Sequence, residues 1–270
     1  MLRKQLWFAS TLSLVGILVA MPAIVTGAAL VPMQAGGEVG ETVIVGDVAY
    51  LVQGSAVSVW QLSSDGMTAP AQVGTTEPLP GLIRGLAVAG DYLFATWANQ
   101  DFQGELVVFS LADPLAPARV LDFAYSTGLF LRPGDVVAIG DALILADPES
   151  GVYSIDISDP LAPSVGAQIF TYGLERLAAT GSYVIGWGSG FSGFAVEVID
   201  VTTPMMPSTV GYYSSWGIFE DAAVEGDVMM LVGDGFEVVS LTDPTMPVML
   251  TTVPSSGTYI RSALMNSGLA

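Results

Sequence analysis

A motif that recurs about every 44 residues constrains the fold of this chain more than any other feature of its sequence. A proline marks each of five units, and the spacing from one unit to the next is 47, 46, 44 and 40 residues. The five prolines are Pro70, Pro117, Pro163, Pro207 and Pro247. A fixed period of this length indicates a repeat architecture in which each unit is one small supersecondary structure.

Two turn motifs accompany the repeat. In the last four units the proline closes a longer motif with a second proline three residues earlier, as in LADPLAP at Leu111–Pro117 and ISDPLAP at Ile157–Pro163. An Asp or Thr before proline favours a tight turn, because its side chain accepts a nearby backbone N–H while proline presets φ. A Gly-Asp or Gly-Ser pair between two apolar runs indicates a hairpin. These pairs begin at Gly46, Gly90, Gly140, Gly181 and Gly226.

Each unit is therefore predicted to contain four short antiparallel strands. In the second unit they are expected at about 82–89, 92–98, 104–111 and 118–125. Four strands in 40 to 47 residues, repeated, predict an all-β chain folded as a β-propeller. The chain is 51% hydrophobic with a mean hydropathy of +0.60, which fits sheets that are buried on both faces. An outer-membrane barrel is the alternative, but its strands would alternate polar and apolar residues, and the run Val136–Ile139 does not.

The sequence predicts five complete blades and a partial sixth. The expected blades cover residues 40–81, 82–128, 129–173, 174–216 and 217–257, and the partial blade covers 258–270. Tyr259–Met265 repeats the start of a unit, and Leu30–Gln34 is similar to the last strand of one. These two segments would be the first and last strands of the sixth blade. Alternatively, Tyr259–Met265 is a closing strand of a five-bladed ring.

The run of hydrophobic residue, Asp, hydrophobic residue and Asp-Pro resembles a known repeat. VIDVTTP at 198–204 and SIDISDP at 154–160 are similar to the LVIVD repeat of exported or surface proteins of bacteria and archaea. The resemblance covers about residues 40–257 and implies a β-propeller. It departs from the pattern at Trp60–Ser64, which lacks Asp-Pro, and at Ser110 and Ser240, which replace the first Asp. The resemblance supports an architecture much more than an activity, so it implies no reaction.

The N-terminus predicts export. Arg3 and Lys4 precede an uncharged stretch from Leu6 to Leu30 that ends in small residues, which is typical of a signal peptide over residues 1–29. An uncleaved N-terminal anchor is the alternative, because 25 uncharged residues could span a bilayer. Either arrangement predicts a periplasmic, extracellular or cell-surface protein, with no membrane contact beyond a possible anchor.

Charge and composition disfavour several functions. Loss of Arg3 and Lys4 would change the net charge from −19 to about −21, and such a surface repels nucleic acid. The chain has no Cys and no His, so thiol nucleophiles, disulfides, ordinary zinc sites and histidine acid–base chemistry are absent. No catalytic residue, no metal ligand and no cofactor is predicted.

Arginines recur at one position of the repeat. Four of the five that follow residue 29 lie just before or at the start of the first strand of a unit: Arg84, Arg132, Arg176 and Arg261. Guanidinium groups at the mouth of a propeller channel could bind a carboxylate, a phosphate or a sulfated glycan. Alternatively, these arginines form ion pairs that join the blades. The acids at the same phase are Asp135, Glu175, Glu220 and Asp221.

Aromatic and acidic loops give two further hypotheses. The glycine-rich segment Gly186–Phe194 carries Trp187 and Phe191, which could stack on a sugar or contact a protein; packing between blades is the alternative. Oxygen-rich turns at Asp147–Gly151 and at Asp234 could bind calcium. Their side chains would equally serve the turns themselves, and neither has the Asp spacing of a calcium loop.

The sequence therefore predicts an exported, non-catalytic β-propeller that binds a protein or glycan partner on one face. An enzyme of lactonase, lyase or glycosidase type, built on carboxylates with or without calcium, is the first alternative. A purely structural protein of the cell envelope is the second. Two acids about 5 to 10 Å apart in one deep pocket would favour the enzyme.

Overall fold

The computed structural model describes residues 16–17, 33–34, 39–64, 68–125, 132–171, 173–190, 193–215 and 219–254. These residues form 22 β-strands, and the described part of the chain contains no helix. None of these residues therefore forms a helix that is long and apolar enough to cross a membrane.

The strands form five four-stranded antiparallel sheets in which chain order equals spatial order. The first blade contains β3 (Val39–Val45), β4 (Val48–Gln53), β5 (Ala56–Gln61) and β6 (Ala71–Thr75). The second contains β7 (Leu82–Ala89), β8 (Tyr92–Ala98), β9 (Gly104–Ser110) and β10 (Ala118–Phe123). The third contains β11 (Val136–Ile139), β12 (Ala142–Asp147), β13 (Gly151–Asp156) and β14 (Ser164–Ile169). The fourth contains β15 (Arg176–Thr180), β16 (Tyr183–Gly190), β17 (Gly193–Asp200) and β18 (Ser208–Ser214). The fifth contains β19 (Phe219–Glu225), β20 (Val228–Gly233), β21 (Gly235–Ser240) and β22 (Val248–Pro254).

The predicted fold is confirmed: the five blades form a ring, and the chain is a five-bladed β-propeller. The first strand of each blade is innermost, and the first strands of successive blades contact one another from β3 to β19. The partial sixth blade expected at 258–270 lies outside the described residues. Of the segment Leu30–Gln34, the structure describes β2 (Met33–Gln34), which pairs with β1 (Gly16–Ile17).

The hairpins between the first and second strands form where the sequence predicts them. Each has a two-residue loop that begins with glycine, as between Val45 and Val48. The glycine has a positive φ in every case, from 54° at Gly90 to 61° at Gly46. Two-residue hairpins require this conformation at their first position to match the twist of the strands, and only glycine adopts it without strain.

The proline turns between the third and fourth strands also form as predicted. The Asp113 carboxylate accepts the Leu115 N–H at 3.0 Å, and Asp159 and Asp243 accept the equivalent N–H groups at 3.0 Å. A backbone hydrogen bond from Leu111 N–H to Asp91 O, 2.8 Å long, ties this turn to the hairpin beside it. The same bond recurs in all five blades.

The core lies between the blades. Leu93 of β8 packs toward the first blade and its neighbour Phe94 toward the third, and both are fully buried. Four apolar clusters of this kind connect the five blades in succession. Burial of both sheet faces explains why the second and third strands are continuous apolar runs.

Glycines in the fourth strand allow the next blade to approach closely. A Cβ on Gly211 of β18 would lie 2.3 Å from the Pro244 carbonyl oxygen of the fifth blade, and one on Gly74 of β6 would lie 2.7 Å from Leu115 O. The Tyr50 hydroxyl donates to Pro114 O at 2.9 Å at the same contact. The proline turn of one blade therefore sits against the preceding blade's outer strand.

Candidate functional site

The propeller has two different faces. We call the first the loop face. There the chain passes from the second to the third strand of a blade and from one blade to the next, and its described residues are 54–55, 76–81, 99–103, 124–125, 132–135, 148–150, 170–171, 173–175, 215 and 234. The opposite, turn face carries the glycine hairpins and the proline turns. Its described residues are 45–48, 61–64, 68–71, 89–92, 110–118, 139–142, 156–164, 180–183, 200–208, 225–228 and 240–248.

Three of the predicted arginines lie at the border of the loop face, on successive blades. Arg84 and Arg176 are exposed and belong to β7 and β15, while Arg132 precedes β11. Arg84 is the extra residue of a β-bulge between Ile83 and Gly85, and a bulge turns its side chain away from the regular pleat. Arg261 lies outside the described residues. The ligand-binding role of these arginines stays a prediction.

The arginines differ in their partners. The Arg132 guanidinium contacts the Glu149 carboxylate of its own blade at 3.4 Å, with both side chains nearly half exposed. Arg176 interacts electrostatically with Glu41 and Asp135 of other blades. In the described part of the chain, no carboxylate lies within salt-bridge distance of Arg84. Of the acids expected to pair with these arginines, the structure brings Asp135 near Arg176.

Glu41 and Asp135 form a hydrogen-bonded carboxyl pair at the innermost strands. The Asp135 carboxylate, 3% exposed, accepts the Val136 N–H at 2.8 Å and, from the next blade, the Leu177 N–H at 3.0 Å. The Glu41 carboxyl accepts the Leu86 N–H of the second blade at 2.8 Å. The pair therefore connects four blades through hydrogen bonds.

Burial raises the pKa of Glu41 well above its ordinary value, and the negative charge of Asp135 raises it further. Burial also raises the pKa of Asp135, but hydrogen bonds from Glu41 and from backbone N–H groups oppose that rise. Two like charges at hydrogen-bonding distance in a buried site cannot both persist. Glu41 is accordingly the protonated partner, and its O–H donates a hydrogen bond to the Asp135 carboxylate.

Glu41 was not among the residues predicted from the sequence, although a signal was present. Glu41 and Asp135 each lie five residues before the glycine of their hairpin, at Gly46 and Gly140. The same position holds Gly85, Arg176 and Asp221 in the other three blades. Asp221 accepts the N–H of the following residue at 2.9 Å, just as Asp135 does.

Asp147 lies in the turn that was predicted as a calcium site, but its carboxylate accepts hydrogen bonds from neighbouring residues of the protein. Its side chain is fully buried. One oxygen accepts the Tyr125 hydroxyl at 2.5 Å and the Arg132 N–H at 3.1 Å, and the other accepts the Glu149 and Ser150 N–H groups at 3.0 and 3.2 Å. Burial and this carboxylate raise the pKa of Tyr125. Within the described ranges no group of three or more acidic side chains is arranged to hold a metal ion.

Two phenylalanines lie in loops of the loop face. Phe102 has a φ of 57°, and it is the one non-glycine residue with positive φ among those the structure describes. Its loop is held by Asn99, whose side-chain oxygen accepts the N–H groups of Asp101 and Gln103 at 2.9 and 3.0 Å. The Phe102 ring is nevertheless 40% exposed, and Phe170, which follows β14, is 78% exposed.

Trp187 lies at the loop end of β16, opposite Arg176 in the strand register. It is 6% exposed and packs with Phe219 and other side chains between the fourth and fifth blades. Its indole N–H has no hydrogen-bond partner among the residues that the structure describes. Phe191, the other predicted aromatic residue, lies outside the described residues.

No family model matches this sequence, and no curated protein is significantly similar to it. Solved structures share its fold. A protein of unknown function from Desulfotomaculum acetoxidans DSM 771 has a TM-score of 0.65 at 9% identity, over 83% of this chain and 72% of that one. A protein from Bacteroides uniformis ATCC 8492, provisionally assigned as a 6-phosphogluconolactonase, has a TM-score of 0.60 at 16% identity, over 79% and 70%. The dihydro-heme d1 dehydrogenase NirN has a TM-score of 0.57 at 16% identity, over 85% and 50%. At these identities the similarity shows the fold alone.

Proposed function

We propose that this protein is an exported, non-catalytic interaction module that binds a protein or glycan partner on its loop face. The observation that carries this proposal is Phe102, whose backbone is held at a φ of 57° while its ring is 40% exposed. This backbone conformation is costly for a bulky residue, and strain of this kind concentrates at binding sites. Since the ring is not fully buried, the fold gains only part of the apolar burial that could offset the strain.

The surroundings of Phe102 supply the other groups that a binding face needs. Phe170 adds a second exposed ring in the third blade. Arg84, Arg132 and Arg176 supply cations in a chain whose net charge is −19. Aromatic rings provide stacking surface, and guanidinium groups recognise carboxylates and sulfates. This combination favours a partner that carries both a sugar or apolar surface and anionic groups.

The hydrogen bonds that Glu41 and Asp135 make within the ring of blades give this carboxyl pair a structural role, and a structural role supports a non-catalytic module. The Asp135 oxygens accept two backbone N–H groups, and the Glu41 carboxyl accepts one from Leu86 while it shares its proton with Asp135. Most of their hydrogen-bonding capacity is therefore used within the ring of blades. The two acids are also closer than the roughly 5 Å or more that separates the carboxyl groups of glycosidases.

Binding to an array of sulfated and unsulfated glycans, with pull-down from surface extracts, tests the proposal. The variants are Phe102→Gly, which removes the ring and relieves the strain, and Arg84→Met with Arg176→Met. We expect the single variant and the arginine double variant each to lose binding. We also expect Phe102→Gly to unfold no more easily than the unaltered protein. Arg119→Met, in the outer strand of the second blade, is the matched control. If all variants bind as the unaltered protein does, the loop face is not the binding surface.

A carboxylate-based hydrolase is the second candidate function. The raised pKa of Glu41, beside the charged Asp135, is an arrangement that suits a general acid at neutral pH. Turnover of 6-phosphogluconolactone and of a panel of simpler lactones tests it. Activity that disappears in both Glu41→Gln and Asp135→Asn, with the fold intact, would replace the non-catalytic proposal.

A further inference from the structure

The turn face combines acidic and apolar groups in a way that the proposed function does not use. Its described residues include ten carboxylates and no Arg or Lys. Each proline turn of the second to fifth blades also places one apolar side chain in solvent. Leu115 is 38% exposed, Leu161 51%, Met206 74% and Met246 69%.

The geometry points to a docking site on the turn face for a basic amphipathic protein segment. The Lys or Arg side chains of that segment pair with the carboxylates, and its apolar side chains pack on the four exposed side chains of the proline turns, which we call the turn tips. The repeat places one tip on each of four neighbouring blades, so the tips follow the rim of this face. An apolar group presented at regular intervals within an acidic surface matches a segment with separate apolar and basic sides.

Charge complementarity selects this occupant over others. Several carboxylates of the turn face stay ionised well below neutral pH, because hydrogen bonds from Ser158, Thr202 and Thr245 lower the pKa of Asp156, Asp200 and Asp243. Anionic lipids, nucleic acids and sulfated glycans would be repelled. The described residues of this face include no Trp or Phe on which an uncharged sugar could stack. Its two tyrosines, Tyr92 and Tyr183, are partly buried against the apolar clusters between blades.

The tips themselves favour a protein partner. Two of the four are methionines, whose flexible and polarisable side chains adapt to differently shaped apolar surfaces. Backbone hydrogen bonds close the turns that carry them: the Met206 and Met246 N–H groups donate to Thr203 O and Asp243 O at 2.8 and 3.0 Å. A partner therefore meets a fixed backbone with adaptable side chains, which limits the entropy that binding costs.

Fluorescence anisotropy with a labelled helical peptide of Lys and Leu, its Glu-Leu counterpart and a scrambled Lys-Leu sequence tests this proposal on the purified protein. We expect the Lys-Leu peptide to bind with an affinity that falls as salt rises, the scrambled peptide to bind more weakly, and the Glu-Leu peptide not to bind.

The key variant is Asp47→Asn with Asp91→Asn and Asp141→Asn. These exposed side chains lie in the glycine hairpins, and Gly-Asn suits such turns as well as Gly-Asp does. We expect binding of the Lys-Leu peptide to weaken about tenfold in this variant. Met206→Gln with Met246→Gln should weaken it about fivefold.

The matched control removes the same charge near the opposite face, through Glu77→Gln, Asp101→Asn and Glu105→Gln. We expect it to change the affinity by about twofold or less. An equal loss in the two triple variants would show general electrostatic attraction and overturn the proposal. Failure of the Lys-Leu peptide to bind at low salt would also overturn it. Neither result bears on glycan binding by the loop face, so the two proposals fail independently.

Discussion

Replacement of Asp135 by alanine tests whether the carboxyl pair holds the ring of blades together. The Asp135 side chain is 3% exposed and accepts two N–H groups, Val136 at 2.8 Å in its own blade and Leu177 at 3.0 Å in the next. It also accepts a hydrogen bond from the protonated Glu41 carboxyl. Alanine provides none of these acceptors, so the substitution breaks one contact within the third blade and two contacts between blades.

The magnitude follows from the donors that are left without a partner. A buried N–H that loses its acceptor costs about 1 to 3 kcal/mol, so two of them cost about 2 to 6 kcal/mol. Part of this loss is offset, because the buried Asp135 charge no longer has to be desolvated. We therefore expect Asp135→Ala to lower the free energy of unfolding by about 3 kcal/mol. Asp135→Asn should cost less, because its amide oxygen can still accept one N–H.

Urea unfolding, followed by tryptophan fluorescence, measures these changes. Asp122→Ala is the matched control, because Asp122 is an exposed carboxylate that contacts Arg119 at 2.7 Å. Its loss should cost less than about 1 kcal/mol. If Asp135→Ala is no more destabilising than Asp122→Ala, solvent already satisfies the Val136 and Leu177 N–H groups, and the assigned role of the pair is wrong.

Three further predictions concern stability. The raised pKa of Glu41 means that its protonated form favours the folded state; the stabilisation is complete below the unfolded pKa, near 4.5, and is lost as pH rises through the folded pKa. In Glu41→Gln the free energy of unfolding should therefore decrease less steeply above pH 4.5 than in the unaltered protein. Urea unfolding at a series of pH values measures this, and an unchanged dependence on pH would contradict it. Gly211→Ala should cost about 1 to 3 kcal/mol, because its Cβ would lie 2.3 Å from Pro244 O and the fifth blade must shift. A melting temperature equal to that of the unaltered protein would exclude this contact. Tyr125→Phe should cost about 1.5 to 3 kcal/mol in the same melts, because it removes the hydroxyl that donates to buried Asp147 at 2.5 Å. A cost no larger than that of Tyr212→Phe, at an exposed tyrosine, would mean that this hydrogen bond contributes little.

The fold was predictable because its turns are local. A glycine with positive φ at Gly90 and an Asp that accepts the N–H two residues later at Asp113 are specified by two or three consecutive residues. Repetition of these signals fixes the number of strands in a unit. The apolar runs between them then require burial on both faces, which a ring of blades provides.

The candidate site was less predictable, because its residues come together only when blades are placed next to each other. The distance in sequence between Glu41 and Asp135 spans two blades, and no local pattern marks them as partners. Trp187 illustrates the opposite case, since its glycine-rich surroundings indicate an open loop, whereas the structure buries the ring between two blades. Phe102 could not be predicted, because its φ depends on the hydrogen bonds that Asn99 makes across the loop.

The innermost position that carries the pair also shows why the five blades cannot be identical. A perfect repeat would place the same charged residue five times around a narrow axis, and like charges at such distances would oppose ring closure. The chain instead has Glu41, Gly85, Asp135, Arg176 and Asp221 at this position. The proton on Glu41 removes one negative charge, and the Arg176 guanidinium attracts both Glu41 and Asp135. The departures from the repeat are thus the residues that allow carboxylates at the axis to accept backbone N–H groups without mutual repulsion.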